Sequence, residues 1–133
     1  MKRIAAISLI LVLAAPVAIA KPHLRDVSEI DDALFAVGLA NEIRKKCPSI
    51  SARKIKALMT LQKLKSRANE LGYSNAEIEA YTSSEVEKDR MRARGAQWFG
   101  QQGVDTSTPE GYCVAGRSEI DKNSQIGALL KAN

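Results

Sequence analysis

Residues Ser51 to Gly72 read SARKIKALMTLQKLKSRANELG. The apolar members Ile55, Leu58, Leu61, Leu64, Ala68 and Leu71 recur at steps of three and four, which is a helical period and not the alternation of a strand. Three successive steps of three drift around the helix, so the apolar surface is broad. Ala57, Leu61, Leu64 and Ala68 form one patch, and Ile55, Leu58 and Met59 form another. A helix with two apolar patches needs neighbours on two sides, so this segment is expected to be the central member of a small helical bundle.

Outward from it on the N-terminal side lies a first helix from about Ser28 to Cys47. Asp26 or Ser28 is available as a cap, and Glu29, Asp31 and Asp32 sit where the helix dipole favours acids. Ile30, Ala33, Leu34, Val37, Ala40 and Ile43 make its inward stripe. Arg44, Lys45 and Lys46 suit its C-terminal end, and Pro48 disfavours helix at Cys47. Ser49 or Ser51 is expected to cap the central helix, and Gly72 to end it with a left-handed turn.

On the C-terminal side, Ser74 to Glu77 has capping-box spacing and opens a short helix to about Tyr81. Ser84 to Glu87 repeats the device for a fourth helix that runs to Gly100 or Gln102. Within it Glu87 with Arg90, and Asp89 with Arg92, are spaced for weak surface pairs, while Trp98 and Phe99 give the helix an apolar end suited to the core. After a loop from Gly103 to Thr108, Thr108-Pro109-Glu110 reads as a helix start, and the last helix is expected to reach about Lys131, with Cys113, Gly116, Ile120, Gly127 and Leu130 on one stripe. No strand-like alternation is evident. The fold class expected is therefore all-α, a bundle of about five helices.

The N-terminus bounds the compartment. Lys2 and Arg3 precede an apolar run from Ile4 to Leu13, and Ala18-Ile19-Ala20 supplies small residues at cleavage positions, so residues 1–20 read as a signal peptide cut after Ala20. The run is short for a membrane span and Pro16 interrupts it. Residues 21–133 are then one domain, soluble and periplasmic or secreted, with a loose, polar N-terminal arm over 21–27 that holds the single histidine, His23. Removing Lys2 and Arg3 leaves 18 basic residues against 15 acidic ones, a mild positive bias. Export makes nucleic acid an implausible partner. Cys47 and Cys113, the two cysteines, are expected to bridge in an oxidising compartment and to tie the end of the first helix to the first turn of the last.

Along the central helix Arg53, Lys56, Lys63 and Arg67 fall on one side, with Thr60 between them and Glu70 as the sole acid within the helix. This is the candidate contact face for an acidic envelope protein or an anionic membrane surface, weighed against a solvated face that covers apolar surface with long side chains. Lys54 and Lys65 lie apart, at the edge of an apolar patch.

The ordered segments ISARKIKALMTLQKLKSRANELGYSNAEIEAY, EKDRMRARG, PEGYC and GRSEIDKNSQIG resemble a family of small exported alphaproteobacterial proteins catalogued as a domain of unknown function. The resemblance covers roughly Pro22 to Leu130 and includes both cysteines. It implies no activity for any residue.

An enzyme needs converging groups, and the chain has no phosphate-binding glycine loop, no His-Glu-x-x-His and no nucleophile elbow. Nothing calls for a metal or cofactor, and carboxylates such as Glu77, Glu79 and Glu85 are accounted for by caps and exposed faces. The expected function is a binding or accessory module of the cell envelope. A carrier with a cavity inside the bundle is the alternative, and a hydrolytic enzyme ranks last.

Overall fold

A computed structural model describes residues 20–133; the expected leader therefore lies, but for Ala20, outside the described residues. Among those residues are helices α1 (Ser28–Lys46), α2 (Lys54–Glu70), α3 (Asn75–Ser83), α4 (Glu85–Gln101) and α5 (Pro109–Lys122). Two short strands, β1 (Ile50–Ala52) and β2 (Leu130–Ala132), and 3-10 turns at Leu24–Asp26 and Gly127–Leu129 complete them. The chain is all-α in class, with five helices as the periodicity requires. None of these helices is long and apolar enough to cross a membrane, among the described residues.

The central helix is α1, not α2. Phe35, Ala36, Leu39, Ala40 and Ile43 bury in a core with Ile50, Phe99, Cys113, Ala115, Ile126, Leu129 and Leu130, while Ile30 enters a second cluster with Leu24, Ala68 and Tyr73. Helix α1 thus feeds both clusters. Its buried side is centred further round than the expected stripe, since Phe35, Ala36 and Leu39 are buried and Leu34 and Val37 only partly so. On α2 just one residue, Ala68, is fully buried. The helix uses its Ala57, Leu64 and Ala68 side and leaves Ile55, Leu58 and Met59 in solvent.

The chain reaches α2 through a strand instead of a serine cap. β1 pairs antiparallel with β2 in the register Ile50↔Ala132, Ser51↔Lys131 and Ala52↔Leu130, and Asn133 N donates to Ser49 O at 3.0 Å. Arg53 is the N-cap residue of α2 and makes no side-chain cap bond; Val27 plays that part for α1, also without one. The last helix stops well short of Lys131: Asn123 takes a left-handed conformation at φ 49°, and Ser124 Oγ then accepts from Gly127 N at 3.0 Å. Gly127 is the residue this return requires, because a Cβ there would overlap the Glu119 carbonyl. Gly116 allows a similar approach on α5, where a Cβ would come within 2.7 Å of Ile43 Cγ2.

Nor is the N-terminal arm loose. Leu24 is buried, Tyr73 Oη donates to Pro22 O at 2.6 Å, and Lys21 Nζ reaches both Gly72 O at 2.7 Å and Glu77 at 2.8 Å. A stretch with only Leu24 and Val27 as apolar side chains shows no period, yet both pack in the second cluster and anchor it.

Candidate functional site

The scarcity of acids around α2, whose one carboxylate is its last residue Glu70, is what distinguishes this surface. Residues 43–69 contain nine of the 20 Lys and Arg residues and none of the 15 Asp and Glu residues. The fold splits the four expected contact residues into two kinds. Arg53 Nε donates to Leu130 O at 3.0 Å, and Arg67 bonds both carboxylate oxygens of Glu29 at 3.1 Å and Glu70 at 3.2 Å, so both arginines pin α2 to the body. Lys56 and Lys63 are exposed and make no ion pair among the described residues. Thr60, between them, turns its hydroxyl back to Lys56 O at 2.9 Å.

Beside these lysines lies the patch expected to pack inside. Ile55 is 78% exposed, Leu58 57%, Met59 51% and Leu61 40%. At about 100° per residue, Ile55, Leu58 and Met59 share one outward stripe, Lys56 and Lys63 border it on one side, and Lys54 and Lys65 border it on the other. Both borders are cationic. The two halves were legible separately in the sequence, as a basic face and an apolar patch, and the structure makes them one surface.

Beneath α2 the anchoring is covalent. Cys47 and Cys113 are bridged, with Cα atoms 5.0 Å apart, and join the end of α1 to the start of the second turn of α5, just past the first turn expected. Both are buried, and the bridge fixes the turn that leads through β1 into α2.

The second concentration of charge is internal. Asp31, read from sequence as a first-turn acid, is buried and accepts from Tyr81 Oη at 2.6 Å, from Arg94 Nη1 at 3.0 Å and from Arg90. Arg90 also holds Glu87 at 2.8 Å, Glu87 takes Arg25 of the arm, and Arg94 holds Asp32 at 2.6 Å while lying over the Phe35 ring. The Glu87–Arg90 contact expected as a weak surface pair is therefore part of a network that joins the arm, α1, α3 and α4. Ser84 still caps α4 by accepting from Glu87 N at 3.4 Å, but the Glu87 carboxylate is engaged in the network. Burial pushes the Asp31 carboxyl up, yet the bonds from Arg90 and Tyr81 and the charges of Arg90 and Arg94 outweigh it and hold the group below its ordinary value. The Tyr81 phenol is pushed up to about 12, by burial first and by Asp31 second. On the surface, Lys21 and then the Ser74 backbone N–H lower Glu77 to about 2, in the capping box expected there.

An open groove of about 730 Å³ runs between α1 and α4. Phe35, Leu39 and Phe99 supply buried apolar lining, with Leu34, Met91 and Tyr112 beside them, and Glu42, Lys45, Glu87, Lys88 and Arg92 are its charged lining. Lys88 pairs with Glu85 and Arg92 with Asp89, so much of that charge is compensated. No cluster of three metal-binding side chains occurs among the described residues. His23 is exposed, just ahead of the first 3-10 turn. Trp98 packs half-buried on the core, edge to face with Phe99 at 5.1 Å.

In comparisons with known proteins, the profile described as a family of unknown function (DUF5333) matches residues 22–131. No curated protein and no solved structure matches the chain.

Proposed function

Given that the chain belongs to the DUF5333 family, whose function is unknown, we propose that it acts by docking: it is an exported helical accessory module of the cell envelope, and the outward face of α2 is its contact surface. The observation that carries this reading is the joining of exposed Ile55, Leu58 and Met59 with four lysines that have no acidic partner among the described residues. Exposed apolar side chains contribute nothing to the core, and contiguous ones rimmed by charge mark contact sites. The buried cluster around Asp31 supports docking over catalysis, because its ionic groups are spent on one another. The groove between α1 and α4 favours a second reading, a small-ligand carrier, since its size suits an organic molecule.

A photo-crosslinking residue placed at Leu58, and separately at Met91 in the groove, decides between the two in cells. Docking predicts adducts from position 58, in a periplasmic product that begins at Lys21. Adducts from position 91 alone would favour the carrier, and the absence of adducts from position 58 would overturn docking.

A further inference from the structure

We infer that the surface met by α2 is an anionic phospholipid membrane, on which the helix lies flat. This rests on the docking reading of the same face and names its partner. Helix α2 has 17 residues and is thus about 25 Å long. Its outward stripe is apolar over the first half, at Ile55, Leu58 and Met59, and continues as exposed Gln62 and Ser66, and the lysines stand on both sides of it: Lys54 and Lys65 along one border, Lys56 and Lys63 along the other. A bilayer presents the same negative charge on both sides of an embedded stripe, at the same depth. Lysine stems suit that geometry, since they lie along apolar surface and lift the ammonium into the headgroup layer.

The composition of the face points the same way. Well-packed protein interfaces rest on Trp, Tyr and Arg anchors. Here there is no Trp or Tyr, and the two arginines at its margins, Arg53 and Arg67, are already bonded to Leu130 O and to Glu29 and Glu70. What remains is Ile55, Leu58, Met59 and the lysines, with the polar side chains of Gln62 and Ser66 between them, a set that suits a deformable apolar layer and a diffuse negative potential better than a shaped pocket. The one acid of α2, Glu70, is its last residue and is paired with Arg67 at 3.2 Å. Each basic residue held near an anionic leaflet strengthens binding about fivefold.

The test is vesicle co-sedimentation of the chain from Lys21 onward, a span that contains both described core clusters. Vesicles of phosphatidylglycerol with phosphatidylcholine should bind it at low salt. Pure phosphatidylcholine should bind it at least tenfold more weakly, and raising salt to about 0.5 M should release it, because screening shortens the reach of the lysines. The double variant Lys56→Glu with Lys63→Glu, and the single variant Leu58→Asp, should each lose at least tenfold while keeping the circular dichroism of the parent. Arg117→Glu with Lys122→Glu, the same charge change on α5, should bind like the parent.

Equal binding to both vesicle types, or equal loss in the α5 variant, overturns the inference. If no vesicle binds but position 58 still crosslinks to one envelope protein, the membrane assignment fails and docking on protein stands. If neither occurs, both fail. The comparison of lipid compositions uses the parent protein, so it holds even if a variant misfolds.

Discussion

Replacing Asp31 by Asn removes one charge from the centre of the buried network and leaves its shape. The Asp31 side chain is 8% exposed, against 29% for Arg90 and 35% for Arg94. Removing one partner of a fully buried ion pair costs about 3–5 kcal/mol, but here Arg90 keeps Glu87 and Arg94 keeps Asp32, and both guanidiniums touch water. The cost expected for Asp31→Asn is therefore about 2 kcal/mol, or a fall in Tm of about 8 °C for a domain near this size. Urea unfolding at pH 7 reads it directly, with unchanged m as the sign that both states are otherwise intact. The pH dependence gives a second reading. The folded-state Asp31 carboxyl titrates below its ordinary 3.8, so its contribution is complete above that value and fades as pH falls through the folded-state pKa. The gap between parent and variant should close under acid. A difference below about 0.5 kcal/mol at pH 7, the scatter of ordinary surface changes, would refute the view that Asp31 organises the network.

Reducing the Cys47–Cys113 bridge releases a constraint between residues 66 apart, worth about 4 kcal/mol on the chain-entropy argument, and should lower Tm by roughly 15 °C in differential scanning. A shift under a few degrees would show that the packing of α1 on α5 does not depend on it. Leu24→Ala should cost about 2–3 kcal/mol in urea unfolding, since the side chain is buried among Ile30, Ala68 and Tyr73. A neutral result would show that the arm is held by its polar contacts alone.

What was readable in the sequence were features with a local chemical marker. Pro48 stops α1, Ser74 and Glu77 open α3, Pro109 opens α5, and two cysteines in a chain with a leader pattern pair with each other. What was not readable depended on distant partners. Asp31 looks like a dipole-favoured acid because its surroundings, Tyr81, Arg90 and Arg94, come from elements 50 to 63 residues away. A signal was present in the spacing: Arg90 and Arg94 stand one turn apart on α4, and Asp31 is one turn before Phe35 on the buried side of α1. Strands of three residues are too short to show alternation, and β1 exists because Asn123 turns the tail back to meet it. The candidate surface was half legible. Its lysines could be placed from the helical wheel, but whether Ile55, Leu58 and Met59 face inward depends on which helix takes the centre, and periodicity within α2 does not carry that information.

The centre goes to α1, which carries no charged residue from Ala33 to Asn41, whereas the longest such run on α2 is Ala57 to Gln62, and this decides what α2 is free to do. A helix that fills a core is covered on most sides and offers little to a partner. Helix α2 is instead held by small residues along its inner side, Ala57 and Ala68 with Leu64, and by polar contacts near its two ends, Arg53 to the tail and Arg67 to Glu29 of α1. The bridge at Cys47 fixes the strand that precedes it. These holds are strong enough to keep the helix in place without drawing its larger apolar side chains inward. The ion pairs of the fold leave the lysines of α2 aside: Arg25, Arg90 and Arg94 hold Glu87, Asp31 and Asp32, Arg117 and Lys122 hold Glu110 and Glu119 on α5, and those lysines are without partners among the described residues. Surface pairs would contribute little stability there, so their absence costs the fold almost nothing. It leaves an apolar stripe between cationic borders, and in the docking proposal the charge that completes that surface comes from the partner.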